Sequence, residues 1–248
     1  MNPEIYEAQL IEFVNANATQ RPEFTEYYRH PVLNEDTELT GFDTHYIYHV
    51  AWAIKKIADA KPAEHVDISS SLNFCTTVCS LVPTTFIDYR PANIFMENLR
   101  CTSGNLTDNS HWIEDSYASL SCMHVVEHIG LGRYGDQLNV NADIVAMNNL
   151  IRALKKGGRL LFVVPVGKPG IYFNAHRIYS ASWIANFFSK SCELKEFYLI
   201  QGPHDLQPVY NCDLAEADKF PYACGCFEFI KIDNSVAEKT TRRGKRKS

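Results

Sequence analysis

The sequence predicts a doubly wound, mostly parallel α/β sheet with an N-terminal helical extension. Three observations carry that expectation. From Glu64 onward, short apolar stretches alternate with helical periods. Arg159 to Pro165 is a continuous apolar run of the kind buried on both faces of a parallel sheet. Between a helical period and that run stands Lys155-Lys156-Gly157-Gly158, which reads as a helix stop with cations at the negative helix end.

Taken in order, Pro3 to Ala18 carries Ile5, Leu10, Ile11, Phe13 and Val14 at roughly helical spacing, and a polar connection follows over residues 21–38. His45 to Asp59 places Ile47, Val50, Ala51, Ile54, Ile57 and Ala58 on one helical face. Pro62 ends that helix because its ring forbids continuation. Strands are then expected at 64–68, 84–88, 99–102, 117–124, 159–165, 193–200 and 224–232, with helices at 72–81, 141–154 and 181–188. The expected domains are a helical extension over 1–60, an α/β domain over 61–233, and a basic tail over 234–248 that contains Arg242, Arg243, Lys245, Arg246 and Lys247.

Lys and Arg number 24 against 29 Asp and Glu, a net charge of −5 that argues against a protein coating nucleic acid. The longest apolar runs are too short to span a bilayer, and the acidic start has no basic n-region. A cytoplasmic protein is therefore expected. Eight cysteines form no Cys-x-x-Cys pair, the nearest being Cys75-x3-Cys79 and Cys224-x-Cys226. Buried reduced thiols and no metal site are the expectation.

In a sheet of this kind, ligands bind beyond the carboxyl ends of the strands. The first strand ends in Asp67-Ile68-Ser69-Ser70-Ser71 and enters a helix. Small serines admit a ligand to the backbone and cap the helix, without the positive-φ freedom of Gly. The second strand ends in Asp88-Tyr89, about 20 residues after the first loop, where an acid accepts bonds from two ribose hydroxyls. Asn105 and Leu106 follow the third strand, where an amide and an apolar side chain are expected to border an adenine. Met123 and His124 close the fourth, followed by Val126-Glu127-His128-Ile129.

These pieces, with Leu154-Lys155-Lys156-Gly157-Gly158-Arg159-Leu160-Leu161 before the fifth strand, resemble the class I S-adenosylmethionine-dependent methyltransferases. Lys156 stands where that family usually has Pro. The strings Gly130 to Asp136, Val164 to Gly167 and Asn174 to Tyr179 are similar to a little-characterised methyltransferase-like family associated with surface-glycan biosynthesis. The resemblance covers residues 43–200. It implies S-adenosylmethionine as cofactor, with Asp67, Ser69, Ser70 and Ser71 near its methionine portion, Asp88 on the ribose, and Asn105 and Leu106 at the adenine. Tyr89, Met123 and His124 complete the expected cofactor set.

Methyl transfer to a hydroxyl needs alignment, exclusion of water and a base, and neutral His is the natural base near pH 7. His176 is expected to face the methyl group and take the acceptor's proton, with His128, oriented by Glu127, as the other candidate. Arg133, Tyr134, Asn174, Arg177 and Tyr179 offer cations, an amide and aromatic faces to an anionic sugar or glycan precursor. The rival reading is a non-catalytic methyltransferase-like module that guides a partner enzyme. A nicotinamide dehydrogenase is disfavoured because Gly-x-Gly-x-x-Gly is missing.

Overall fold

A computed structural model describes residues 2–202 and 207–233; the basic run expected to form a tail lies outside the described residues. The chain forms two compact units that divide between Asp43 and Thr44.

In the first unit, α1 (Pro3–Gln20) begins with Asn2, whose Oδ1 accepts the Ile5 amide at 2.9 Å, and with Pro3 in the first turn, where a missing N–H costs nothing. Asn17 stops the chain from running on. Its amide donates to the carbonyls of Arg21 and Phe24 and to the Tyr27 hydroxyl, turning the following segment back toward α1. Arg29 then meets Glu7 at 2.7 Å.

The second unit opens with α2 (Thr44–Ala60), assigned by the sequence to the extension. Its Trp52, Ala53 and Ile57 are buried against the α/β layers, and Lys56 bridges Glu196 (2.8 Å) and Glu228 (2.9 Å). Then follow β1 (His65–Ile68), α3 (Leu72–Val78), β2 (Thr84–Asp88), β3 (Leu99–Ser103) and β4 (Tyr117–Met123). A 3-10 turn over Val126–His128 leads to α4 (Ala142–Ala153) and β5 (Leu154–Val166). The remaining elements are β6 (Gly170–Tyr172), β7 (His176–Ile178), α5 (Ala181–Ser189), β8 (Cys192–Gln201), β9 (Val209–Tyr210), α6 (Leu214–Ala217) and β10 (Ala223–Lys231).

The main sheet runs β3-β2-β1-β4-β5-β10-β8-β9, parallel from β3 to β5, with β10 antiparallel to both β5 and β8. The expected doubly wound sheet is therefore present. Its two-sided burial is readable in β5. Leu160, Phe162 and Val164 pack with α4 and α5, while Leu161 and Val163 pack with α2 and α3. Strand order reverses between β1 and β4, which opens a crevice at their carboxyl ends.

One local expectation is corrected. Lys155 to Gly158 does not cap α4. The helix ends at Ala153, Leu154 already pairs with Tyr117, and the ladder resumes only at Ser119 and Arg159. The intervening residues form a bulge. Gly157 has φ +73°, and a Cβ on Gly158 would stand 2.7 Å from the Lys155 carbonyl oxygen, so both glycines are required. β6, β7, β9 and α6 are elements that the sequence periods do not show.

Candidate functional site

The crevice at the strand reversal holds a cleft of about 530 Å³. Beneath its floor runs a buried polar chain. Ser119 meets His65 Nδ1 at 2.8 Å, and His65 Nε2 meets Ser121 at 2.9 Å. Ser121 and Ser70 (2.6 Å) both donate to Asp67 Oδ1, and Ser70 accepts the Met123 amide at 3.1 Å. Because the Ser121 proton goes to Asp67, its oxygen accepts from His65 Nε2–H. Burial pushes Asp67 up to about 7, against the pull of its hydroxyl donors, and holds His65 down near 3. Asp67 Oδ2 is buried with no partner among the described residues.

The cleft wall on the β1–β3 side is made by Ser69, Asp88, Tyr89, Arg90, Asn105, Leu106 and Thr107. Asp88 and Asn105 are placed by local bonding. Asp88 Oδ1 accepts the Arg90 amide at 2.6 Å, while Asn105 Oδ1 accepts both the Thr107 amide and its hydroxyl. The opposite wall carries His124, Val125, His128, Ile129 and Tyr134. Arg90 lies 4.7 Å over the Tyr134 ring and joins the two walls across the opening. Asp136 fixes the Tyr134 loop by accepting amides of Gly130 (2.6 Å), Gly132 (3.4 Å) and Tyr134 (3.2 Å). Gly130 is obligatory in that loop: it has φ +80°, and a Cβ would sit 2.2 Å from the Asn139 carbonyl oxygen.

Beyond β4, Glu127 is fully buried, with Oε1 2.9 Å from His124 Nδ1 and 3.7 Å from His128 Nε2. His128 Nδ1 lies 2.6 Å from the Ala175 carbonyl and 3.2 Å from Arg133 Nη1; because the shorter contact is to an oxygen that only accepts, Nδ1 carries the proton and Nε2 is the basic nitrogen. Arg133 donates to the same carbonyl at 3.1 Å.

The structure redistributes the expected residues. Ser69, Ser70, Asp88, Tyr89, Asn105, Leu106, His124, His128 and Tyr134 line the cleft. Asp67 lies under its floor, and the Met123 side chain is buried in the core on the α2 and α3 face. Ser71 caps α3, accepting the Phe74 amide at 3.2 Å. His176 is not on the cleft wall; it lies against Tyr172 and Tyr222, with ring centroids at 5.2 and 5.6 Å. Arg177 and Tyr179 are buried and used internally. Arg177 donates to the Ile129 carbonyl at 2.7 Å and faces Asp143 at 3.6 Å, and the Tyr179 hydroxyl donates to Asp143 at 2.9 Å. Asn174 is exposed at the tip between β6 and β7.

Sequence reasoning also missed a cluster beside the cleft. His45, His124 and Cys224 bring one ligand atom each to within 4.8 Å of one another, a grouping that short spacings alone do not reveal. His124 Nε2 stands 3.4 Å from Cys224 Sγ. Burial disfavours the charged imidazole, but the Cys224 and Glu127 charges outweigh it and lift His124 to about 10. None of the eight cysteines is in a disulfide.

A family model described as a Caenorhabditis protein of unknown function, DUF268, matches residues 93–198. No curated protein matches the chain. The chain is similar to the Burkholderia thailandensis 1,6-didemethyltoxoflavin-N1-methyltransferase, whose structure holds its substrate and S-adenosylhomocysteine. Identity is 14%, TM-score 0.52, and coverage 94% of this chain and 92% of that one. It is also similar to the N-methyltransferase NodS of Bradyrhizobium japonicum (12% identity, TM-score 0.53, 77% of this chain and 97% of that one). A third likeness is to the YcgJ protein of Bacillus subtilis (15% identity, TM-score 0.51, 75% and 99%). The chain thus has the Rossmann-like fold of class I methyltransferases. Among the described residues, no helix is long and apolar enough to cross a membrane.

Proposed function

We propose that this protein is an S-adenosylmethionine-dependent methyltransferase acting on a hydroxyl of a sugar or related glycan precursor. The observation that carries the reading is the cleft at the β1/β4 strand reversal, with Asp88 at the end of β2 and Asn105 and Leu106 after β3 on its wall. The donor set fits the adenosine half of the cofactor: a carboxylate for ribose hydroxyls, an amide for a base edge and an apolar face for its ring. When bound, S-adenosylmethionine supplies a methyl group already activated on a sulfonium. The chain's own residues must place the acceptor, exclude water and remove a proton. His128 takes that last role in place of His176, because it lines the cleft and its Nδ1–H is fixed on Ala175, leaving Nε2 to accept. Tyr134, Arg90 and Arg133 offer an aromatic face flanked by guanidiniums to the acceptor.

The non-catalytic reading is favoured by one observation: the hydroxyls of Ser70 and Ser71 serve Asp67, Met123 and the α3 cap. Calorimetry with S-adenosylhomocysteine tests the cofactor. Saturable one-to-one binding to the full chain is expected, and no binding at millimolar ligand overturns the reading. Release of S-adenosylhomocysteine on incubation with S-adenosylmethionine and a pool of sugar nucleotides separates enzyme from module.

A further inference from the structure

We propose that His45, His124 and Cys224 bind a zinc ion at the wall of the cleft. Two imidazoles and a thiolate are a borderline-soft donor set that suits zinc. A tetrahedral zinc with ordinary Zn–S and Zn–N bonds separates a sulfur from a nitrogen by about 3.5 Å. His124 Nε2 and Cys224 Sγ stand at 3.4 Å. All three ligand atoms lie within 4.8 Å of one another, about 1.5 Å over the tetrahedral nitrogen–nitrogen edge at most.

The surroundings are those of a prepared ligand. The outer ring nitrogen of a metal-binding His almost always donates to a carboxylate or carbonyl, which fixes the tautomer. His124 Nδ1 does so to Glu127 at 2.9 Å, and this leaves Nε2 aimed at the thiol. His49 packs edge-on against His124 with centroids at 5.0 Å, its own Nδ1 held by the His45 carbonyl at 2.6 Å. His45 stacks parallel to His124 at 6.1 Å, with Tyr222 on its other contact at 5.1 Å. The elements that deliver these groups are unrelated in sequence: α2, the end of β4 and the start of β10.

A Cys–His nucleophile is the other use of such a pair. It needs a thiol within reach of substrate, and Cys224 is wholly buried. The fourth zinc position is left to water or to an acceptor oxygen, since His124 also lines the cleft. The proposal does not depend on the methyl-transfer reading, because metal binding is measured without cofactor or acceptor.

Full-length protein dialysed with zinc sulfate and then gel-filtered should retain about one zinc per chain. Its zinc-edge X-ray absorption should show one sulfur and two imidazoles. Cobalt substitution should give a thiolate-to-metal charge-transfer band in the near ultraviolet. Cys224→Ser should abolish that band, and Glu127→Gln should weaken zinc binding by about 10–100-fold. Folded protein that retains no zinc, or a zinc shell without sulfur, overturns the proposal. A charge-transfer band that survives in Cys224→Ser does so as well. If Cys224→Ser does not fold, the absorption spectrum of the unaltered protein decides alone.

Discussion

Asp67 and Asp88 end neighbouring parallel strands, yet the structure puts them to opposite uses. Asp67 faces down between β1 and β4, where Ser121 and Ser70 meet one oxygen and the other is buried alone. Asp88 ends β2, where, among the described residues, its side chain accepts the Arg90 amide and lines the cleft. Position relative to the next strand decides between them. β4, beside β1, supplies the Ser121 hydroxyl and the loop after β1 supplies that of Ser70, whereas the Asp88 carboxylate accepts from the turn that follows β2. The first acid holds the floor together, and the second is available to a ligand.

Five substitutions at four positions sharpen or break this contrast, the largest expected effect first and the smallest last. His128→Asn, on the outward-facing side, should lower turnover by about 10² to 10⁴ with S-adenosylhomocysteine affinity nearly unchanged. Near-normal single-turnover rates would remove His128 as base. Asp67→Ala should act on stability instead. Leaving the buried Ser121 hydroxyl unanswered costs on the order of 1–3 kcal/mol, read by urea denaturation. A stable Asp67→Ala protein that no longer binds S-adenosylhomocysteine would reverse the roles assigned to the two acids.

Asp67 also has a pH signature. Its folded pKa, about 7, lies above the ordinary carboxylate value. Between the two values the folded state binds the proton and the unfolded state does not, so the contribution of Asp67 to stability falls as pH rises from about 4 to 7, against the buried His65, whose contribution rises. The slope of melting temperature against pH over that window should be more positive in Asp67→Asn. An identical slope would show that Asp67 titrates normally.

Asp88→Ala should cost about 1.5–3 kcal/mol of S-adenosylhomocysteine affinity, the range for hydrogen bonds to a charged group, with the melting temperature held. Unchanged calorimetric affinity would take Asp88 out of the site. Arg90→Ala is the mildest. Removing the cation over Tyr134 should weaken acceptor or cofactor binding by about 0.5–1 kcal/mol, or two- to fivefold. A tenfold loss would mean that Arg90 touches the ligand directly.

The strand ends that frame the cleft were legible in the sequence because each follows a strong local signal. Thr84 to Asp88 is β-branched and apolar, and Arg159 to Pro165 is a run that only two-sided burial explains. The hairpin of β6 and β7 was not, since two three-residue strands have no period to detect. Side-chain partners were harder still. Arg177 looks in sequence like a ligand-binding cation, and only the packing of β7 under the 126–128 turn shows that two backbone carbonyls occupy it. The thiol–imidazole cluster joins residues 79 and 100 positions apart or more, so no motif could announce it; the sheet order alone brings them together.

That sheet order also governs how the chain can fold. β10 is the last strand described, yet it inserts between β5 and β8, strands completed tens of residues earlier. During synthesis those two strands wait with open edges until residues 223–231 emerge, so β8 and β9 join the rest of the sheet only then. Edges of Phe, Val and Leu left open for that interval are templates for pairing with another chain. A molecule built this way is exposed to aggregation as it is made, and shielding of β5 and β8 by chaperones in that interval should govern its yield.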